Sequence, residues 1–121
     1  MALKVLIVDD DFINRKLLQT LLKKNPNVTD IVESENGSDA LDKLEKEPDI
    51  NLVLLDIVMP IMDGIAFLKI FRSVMSNSNI PVIVLSTDDS RKVEVFENGA
   101  NDFLRKPIKE IDLLNKMTQW S

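Results

Sequence analysis

Cysteine and histidine are both absent from this chain of 121 residues. Without cysteine there are no disulfides and no thiolate chemistry. Without histidine there is no Ser-His pair, no imidazole metal ligand and no phosphohistidine for the chain to donate. Any chemistry must come from carboxylates, Lys, Arg and hydroxyls. Positive charge is also in short supply. Fifteen Lys and Arg face twenty Asp and Glu, for a net charge of −5. Nothing in that balance offsets phosphate repulsion, so nucleic-acid binding by this domain is not expected. No apolar run approaches the ~20 residues needed to span a bilayer, and the start, Met1-Ala-Leu-Lys-Val, enters a strand rather than a signal peptide. No repeat, linker or low-complexity tract interrupts the chain. The expectation is one cytoplasmic domain over residues 1–121, without a membrane partner and without an effector domain in this chain.

What is present is a strict alternation of two hydrophobic periods. Leu3–Val8 is apolar and strand-like; Ile13, Leu17, Leu18, Leu21 and Leu22 then recur at helical spacing until Asn25-Pro26-Asn27. Residues 28–33 form a half-polar strand, and Gly37-Ser38 opens a helix carrying Ala40, Leu41 and Leu44. Residues 52–55 read as a buried central strand. Ile65, Leu68, Phe71 and Met75 mark a third helix, closed by Asn77-Ser-Asn79. Pro81-Val-Ile-Val-Leu85 is a fourth strand, 90–98 a short helix ended by Gly99, 102–104 a brief fifth strand, and 108–120 a last helix with Ile111, Leu114 and Met117 inward. Five strands alternating with five helices mean a three-layer α/β domain, a doubly wound parallel sheet joined by right-handed crossovers. The second strand, with Thr29, Asp30 and Glu33, belongs at an edge. That suits the flavodoxin-like (βα)5 order 2-1-3-4-5, whose switch point lies between the first and third strands.

Carboxylates converge on that switch point. The first strand runs into Asp9-Asp10-Asp11 and the third into Asp56. A like-charge pair at ~4 Å costs about 4 kcal/mol at an effective dielectric of 20, so something positive must sit there. Oxygen ligands without His or Cys favour magnesium, which keeps several waters and often shares a phosphate. Lys106, at the end of the fifth strand, offers a second cation, and Ser86, at the end of the fourth, a hydroxyl. Metal cradle, nucleophile, hydroxyl and ammonium are what phosphoryl transfer asks for, with Asp56 as the nucleophile. Taken singly each residue has a plainer reading: Asp11 as a helix N-cap, Asp63-Gly64 as a turn with Asp63 capping, Ser86 as a strand-end hydroxyl, Lys106 as a surface lysine, Phe67, Phe71 and Phe103 as core. Four polar positions on one sheet edge are harder to explain that way.

Four segments, Val8-Asp-Asp10, Leu55-Asp-Ile-Val-Met-Pro-Ile-Met-Asp-Gly64, Leu85-Ser-Thr87 and Gly99-Ala-Asn-Asp-Phe-Leu-Arg-Lys-Pro107, carry a resemblance over the whole chain. In them the chain resembles the receiver domains of two-component response regulators, the CheY-like family. The resemblance implies that Asp56 is the phosphoacceptor, that Asp10 binds Mg2+ directly and Asp9 largely through water, and that the Val58 carbonyl completes the protein ligands. Mn2+ would substitute for Mg2+. Ser86 would be the switch hydroxyl, Lys106 the phosphate-binding lysine and Phe103 the switch aromatic, with a cis Lys106-Pro107 peptide. Val58 and Asp88 would tune dephosphorylation. The implied partners are a sensor histidine kinase or a phosphotransfer protein as donor, and an unspecified downstream protein. The domain would promote both its own phosphorylation and its own reset. Phosphorylation would draw Ser86 toward the phosphoryl group and let Phe103 turn inward, repacking the face of the fourth helix, fifth strand and fifth helix.

Two features depart from the family pattern. The spacing from Ser86 to Gly99 is short, which predicts an abbreviated fourth helix and altered docking there. Position 103 is Phe where many members carry Tyr, so the ring has no hydroxyl to hydrogen-bond. Phe12-Ile-Asn-Arg15 is similar to receivers attached to hybrid kinases. Two rivals of the same general shape fit less well. A nucleotide binder needs a glycine- or hydroxyl-rich loop where 9–11 stands. A haloacid-dehalogenase-like phosphatase wants a second Asp where Val58 stands. The alternative that remains is a receiver-shaped interaction module regulated without phosphorylation.

Overall fold

Two short alternating apolar sets explain why the strands sit in the middle of the molecule. In the computed structural model, which describes residues 2–57, 62–74, 79–87 and 89–121, odd and even strand positions feed two separate cores. Leu6, Val8, Val53, Leu55, Val82, Val84 and Phe103 point to one side. Val5, Ile7, Leu52, Leu54, Ile83, Leu85 and Leu104 point to the other. A strand apolar on both faces must be covered on both faces, and that requirement fixes a three-layer architecture.

The strands are β1 (Leu3–Val8), β2 (Val28–Ser34), β3 (Leu52–Asp56), β4 (Val82–Ser86) and β5 (Asp102–Arg105). The helices are α1 (Phe12–Leu22), α2 (Gly37–Lys46), α3 (Gly64–Val74), α4 (Lys92–Glu97) and α5 (Glu110–Trp120). All pairings are parallel, in the order β2-β1-β3-β4-β5 expected from the sequence. Leu18 and Leu22 of α1 and Leu113 and Met117 of α5 cover one face. Ala40 and Leu44 of α2, the Phe67–Phe71 pair of α3 and Val95 of α4 cover the other.

Local chemistry starts and stops these helices as the sequence implies. Asp11 caps α1, its carboxylate accepting from the Ile13 and Asn14 amides. Asn36 caps α2 and Asp63 caps the first turn of α3, accepting from Ala66 N at 2.9 Å. Gly99 ends α4 with φ of +105°, a conformation that side chains with a Cβ rarely adopt. The abbreviated fourth helix is present: a 3-10 turn over Asp89–Arg91 precedes six α-helical residues.

Two inward assignments differ from the expectation. Ile111 and Leu114 are exposed, whereas Met117 points inward as expected and is joined in the core by Leu113. The observed α5 starts at Glu110, and the spacing of four from Leu113 to Met117 keeps one face against the sheet, where the predicted 111-114-117 series drifts around the helix. In α1, Ile13 and Leu17 are 63% and 61% exposed, while Leu18 and Leu22 point inward. Expected features that fall on Val58, Pro60, Met75, Asn77 and Asp88 lie outside the described residues.

Candidate functional site

Strand register decides which side chains meet. β1 and β3 pair with Val8 opposite Leu55, so the next residue of each strand, Asp9 and Asp56, emerges side by side at the carboxyl edge. β3 and β4 pair with Asp56 opposite Leu85, which puts Ser86 at the same edge. β4 and β5 pair with Ser86 opposite Arg105. The Lys106 amide then donates to the Ser86 carbonyl at 2.7 Å, which brings the lysine back over the centre. The Lys106-Pro107 peptide that follows is cis.

Carboxylate oxygens of Asp9, Asp10 and Asp56 lie within 4.8 Å of one another. Asp9 and Asp56 are buried, at 1% and 9% exposure, while Asp10 is exposed. The Lys106 ammonium stands 3.6 Å from Asp9 Oδ2 and 3.5 Å from Asp56 Oδ1, so one cation serves two buried anions. These are ion-pair distances, longer than a charge-assisted hydrogen bond. Among the described residues Asp9 Oδ2 is buried without a hydrogen-bond partner, whereas Asp9 Oδ1 accepts from the Asp11 amide at 2.9 Å. A buried carboxylate oxygen left open beside two more carboxylates fits a hard divalent cation in donor type and in charge.

The sequence-derived candidates are thus brought together in one place: Asp9, Asp10, Asp56 and Lys106 in the cluster, with the buried Ser86 beside them. Phe103 sits one strand over. The residue is 8% exposed and packs in the α2–α3–α4 core, with the Lys92 ammonium 5.6 Å from its ring centroid. The ring therefore already occupies an inward position. Beside Lys106, a groove of about 640 Å³ runs between α1 and the β5–α5 connection, lined by Leu17, Leu18, Leu21, Pro107 and Ile108.

Two sets of contacts, one at this edge and one at the amino end of β5, follow from no sequence pattern. Arg15 donates to the Asp9 carbonyl at 2.7 Å and to Glu33 Oε1 at 3.1 Å, tying the β1–α1 turn to the end of β2. Positions 15 and 33 lie on different elements, α1 and β2, and no spacing rule links them. The second set is a clamp behind Phe103. The Asp102 carboxylate accepts from Phe103 N and Trp120 Nε1, both at 2.8 Å, and pairs with Lys116 at 2.9 Å. Burial alone would raise the Asp102 carboxyl. The Trp120 indole, the Lys116 ammonium and the Phe103 amide together outweigh it and hold the group below the usual carboxylate range.

Comparison with known proteins agrees with this arrangement. The family model described as the response regulator receiver domain matches residues 5–118. A two-component response regulator of Arabidopsis thaliana is 35% identical over 118 residues, covering 95% of this chain and 84% of that protein. A protein-glutamate methylesterase/protein-glutamine glutaminase of Methanosarcina barkeri is 38% identical over 112 residues, covering 88% of this chain but 29% of its own length. This chain thus spans about a third of the methylesterase relatives that it matches. The structure of the Vibrio cholerae chemotaxis protein CheY4 superposes over the whole of both chains with a TM-score of 0.89 at 28% identity. Strand order, the matched family model and a near-full-length relative converge on one assignment: the chain belongs to the response-regulator receiver family of two-component signalling.

Proposed function

We propose that the domain is a phosphorylation switch in which Asp56 accepts a phosphoryl group from a phosphohistidine of a sensor kinase or phosphotransfer protein. One observation carries the reading. The Asp56 carboxylate sits at a buried sheet edge 3.5 Å from a single ammonium and within 4.8 Å of two further acids, one of which has an open, buried oxygen. An Asp56 oxygen attacks phosphorus, the P–N bond to the donor imidazole breaks, and the imidazole nitrogen keeps the electron pair. Lys106 neutralises the phosphoryl oxygens, and the Ser86 hydroxyl donates to one of them.

Asp9, Asp10 and Asp56 are the side chains that would hold Mg2+, or Mn2+ in its place, with the Val58 carbonyl as a further ligand. The bound ion supplies charge neutralisation for the transferring group. The apolar groove beside Lys106 gives a donor protein a surface next to Asp56. Water later hydrolyses the acyl phosphate, restoring the carboxylate and releasing phosphate, at a rate that Val58 and Asp88 would tune.

The output is a change of surface. Contacts from the phosphoryl group to Ser86 and Lys106 stabilise the buried placement of Phe103. They thereby bias the α4–β5–α5 face, whose fourth helix is short, for a downstream protein or fused effector. The rival reading is an interaction module that works without phosphorylation. Acetyl phosphate or beryllofluoride with Mg2+, applied to the wild type and to Asp56→Asn, separates the two. The switch reading expects a Mg2+-dependent change in the wild type alone. No change, or the same change in the variant, would sink it.

A further inference from the structure

Arg15 is a cation on the Asp9 backbone that the switch leaves without a part. Its side chain is 14% exposed, and its guanidinium reaches acceptors on two strands, the Asp9 carbonyl at the end of β1 and Glu33 near the end of β2. The Phe12 ring stacks 5.7 Å from the guanidinium carbon, and Lys43 donates to the Glu33 carbonyl from the other side. The rest of the turn is fixed as well. Asp9 N donates to the Ser34 carbonyl at 3.0 Å, Asp11 N to Asp9 Oδ1 at 2.9 Å, and Arg15 N to the Asp11 carbonyl at 3.1 Å.

The choice of acceptors is informative. A guanidinium beside three carboxylates is expected to take one of them in a forked pair, which would remove that acid from any metal. Arg15 instead takes the backbone carbonyl of Asp9, and Glu33 answers its charge from outside the cluster. Among the described residues Asp9 Oδ2 thereby has no hydrogen-bond partner, with the Lys106 ammonium 3.6 Å away, and Asp10 stays exposed, on a turn tied to β2 and α1.

We propose that Arg15, held by Glu33, is a positioning residue for the divalent-cation site: it fixes the Asp9–Asp10 turn through the Asp9 carbonyl without competing for the carboxylates. This rests on the reading of Asp9, Asp10 and Asp56 as metal ligands. Groups that orient metal ligands from behind carry about 10–100-fold in affinity.

The test is the Mg2+ dissociation constant, measured by calorimetry on folded wild type, Arg15→Met and Arg15→Lys, beside thermal unfolding in EDTA. Positioning requires both variants to bind Mg2+ ~10–100-fold more weakly. The double variant with Glu33→Gln should lose little beyond Arg15→Met, because the two residues act as one unit. If Arg15 matters only as charge, Arg15→Met binds Mg2+ more tightly than the wild type and Arg15→Lys binds it equally; either result overturns the proposal. A lowered melting temperature with unchanged affinity also overturns it, since that marks a structural role alone. Should Arg15→Met fail to fold, Arg15→Lys decides. A wild type that binds no Mg2+ overturns the metal reading and the proposal with it, whereas binding by the wild type with unchanged variants overturns the proposal alone.

Discussion

Replacing Asp102 by Asn tests whether the clamp behind Phe103 fixes α5 on the sheet. The wild-type carboxylate takes three donors, from Phe103 N, Trp120 Nε1 and Lys116 Nζ, at 2.8, 2.8 and 2.9 Å. Hydrogen bonds to a charged group each contribute about 1.5–3 kcal/mol. Asn is nearly isosteric but has one acceptor oxygen, and its amide group would face a donor. Lys116 is a third exposed, so its share is screened and discounted. A net loss of about 2–3 kcal/mol follows from one buried charged bond plus part of a second. With an unfolding entropy of ~2.1 cal/mol/K per residue, 121 residues give ~0.25 kcal/mol/K, so the melting temperature should fall by roughly 8–12 °C at pH 7.

The pH dependence has a definite sign. The folded-state pKa of Asp102 is depressed, so its contribution is fully present above the ordinary carboxylate value of 3.8 and is lost as pH falls below that value. The gap between wild type and variant should hold from pH 7 to pH 5 and narrow at pH 3. Trp120 is the sole tryptophan, so its emission reports directly on the clamp and should shift in the variant before global unfolding. A melting temperature within about 2 °C of wild type at pH 7, well inside what 1 kcal/mol would give, would refute the reasoning. So would a gap that persists unchanged at acid pH.

Other perturbations address the site and its supports. A Cβ at Gly64 would lie 2.7 Å from Ile57 Cα and 2.8 Å from the Asp56 carbonyl oxygen, so Gly64→Ala must displace the strand end that carries Asp56. Overpacking of this kind costs about 1–3 kcal/mol, and phosphorylation by acetyl phosphate should slow with it; an unchanged rate would contradict the close approach. Gly99→Ala meets both a φ of +105° and the Arg72 side chain at 2.6 Å, so denaturant unfolding should show a loss of about 2 kcal/mol or more. Lys106→Met removes the cation shared by Asp9 and Asp56, and should strengthen Mg2+ binding measured by calorimetry while slowing phosphorylation. Weaker Mg2+ binding in that variant would show that Lys106 organises the cluster rather than competing with the ion.

Much of this molecule was legible in its sequence because the signals were local. The five apolar runs are bounded by Asn-Pro, Asp-Gly and Gly99, and strands apolar on both faces dictate a covered parallel sheet. Thr29, Asp30 and Glu33 placed β2 at the edge, and the strand-end acids, Ser86 and Lys106 were readable because every strand of a parallel sheet ends at one edge. The helix faces were less legible. Leucines and isoleucines in α1 and α5 outnumber the places that the sheet offers, and periodicity alone did not choose Leu113 over Leu114 or Leu18 over Leu17.

Only the tertiary structure could decide the contacts that have no sequence spacing. Arg15 reaching Glu33, and Asp102 collecting Trp120 and Lys116, join residues on different elements, which no helical or strand period relates. Side-chain hydrogen bonds of this kind are set by how helices dock and by which acceptors remain open once the backbone has paired. The inward placement of Phe103 and the open oxygen of Asp9 are of the same sort. The sequence by itself determined which groups arrive at the sheet edge, because strand pattern and parallel register carry them there. Packing of the helices on the sheet decided which acids Lys106 neutralises and which tie a helix to a strand, as Asp102 ties α5 to β5.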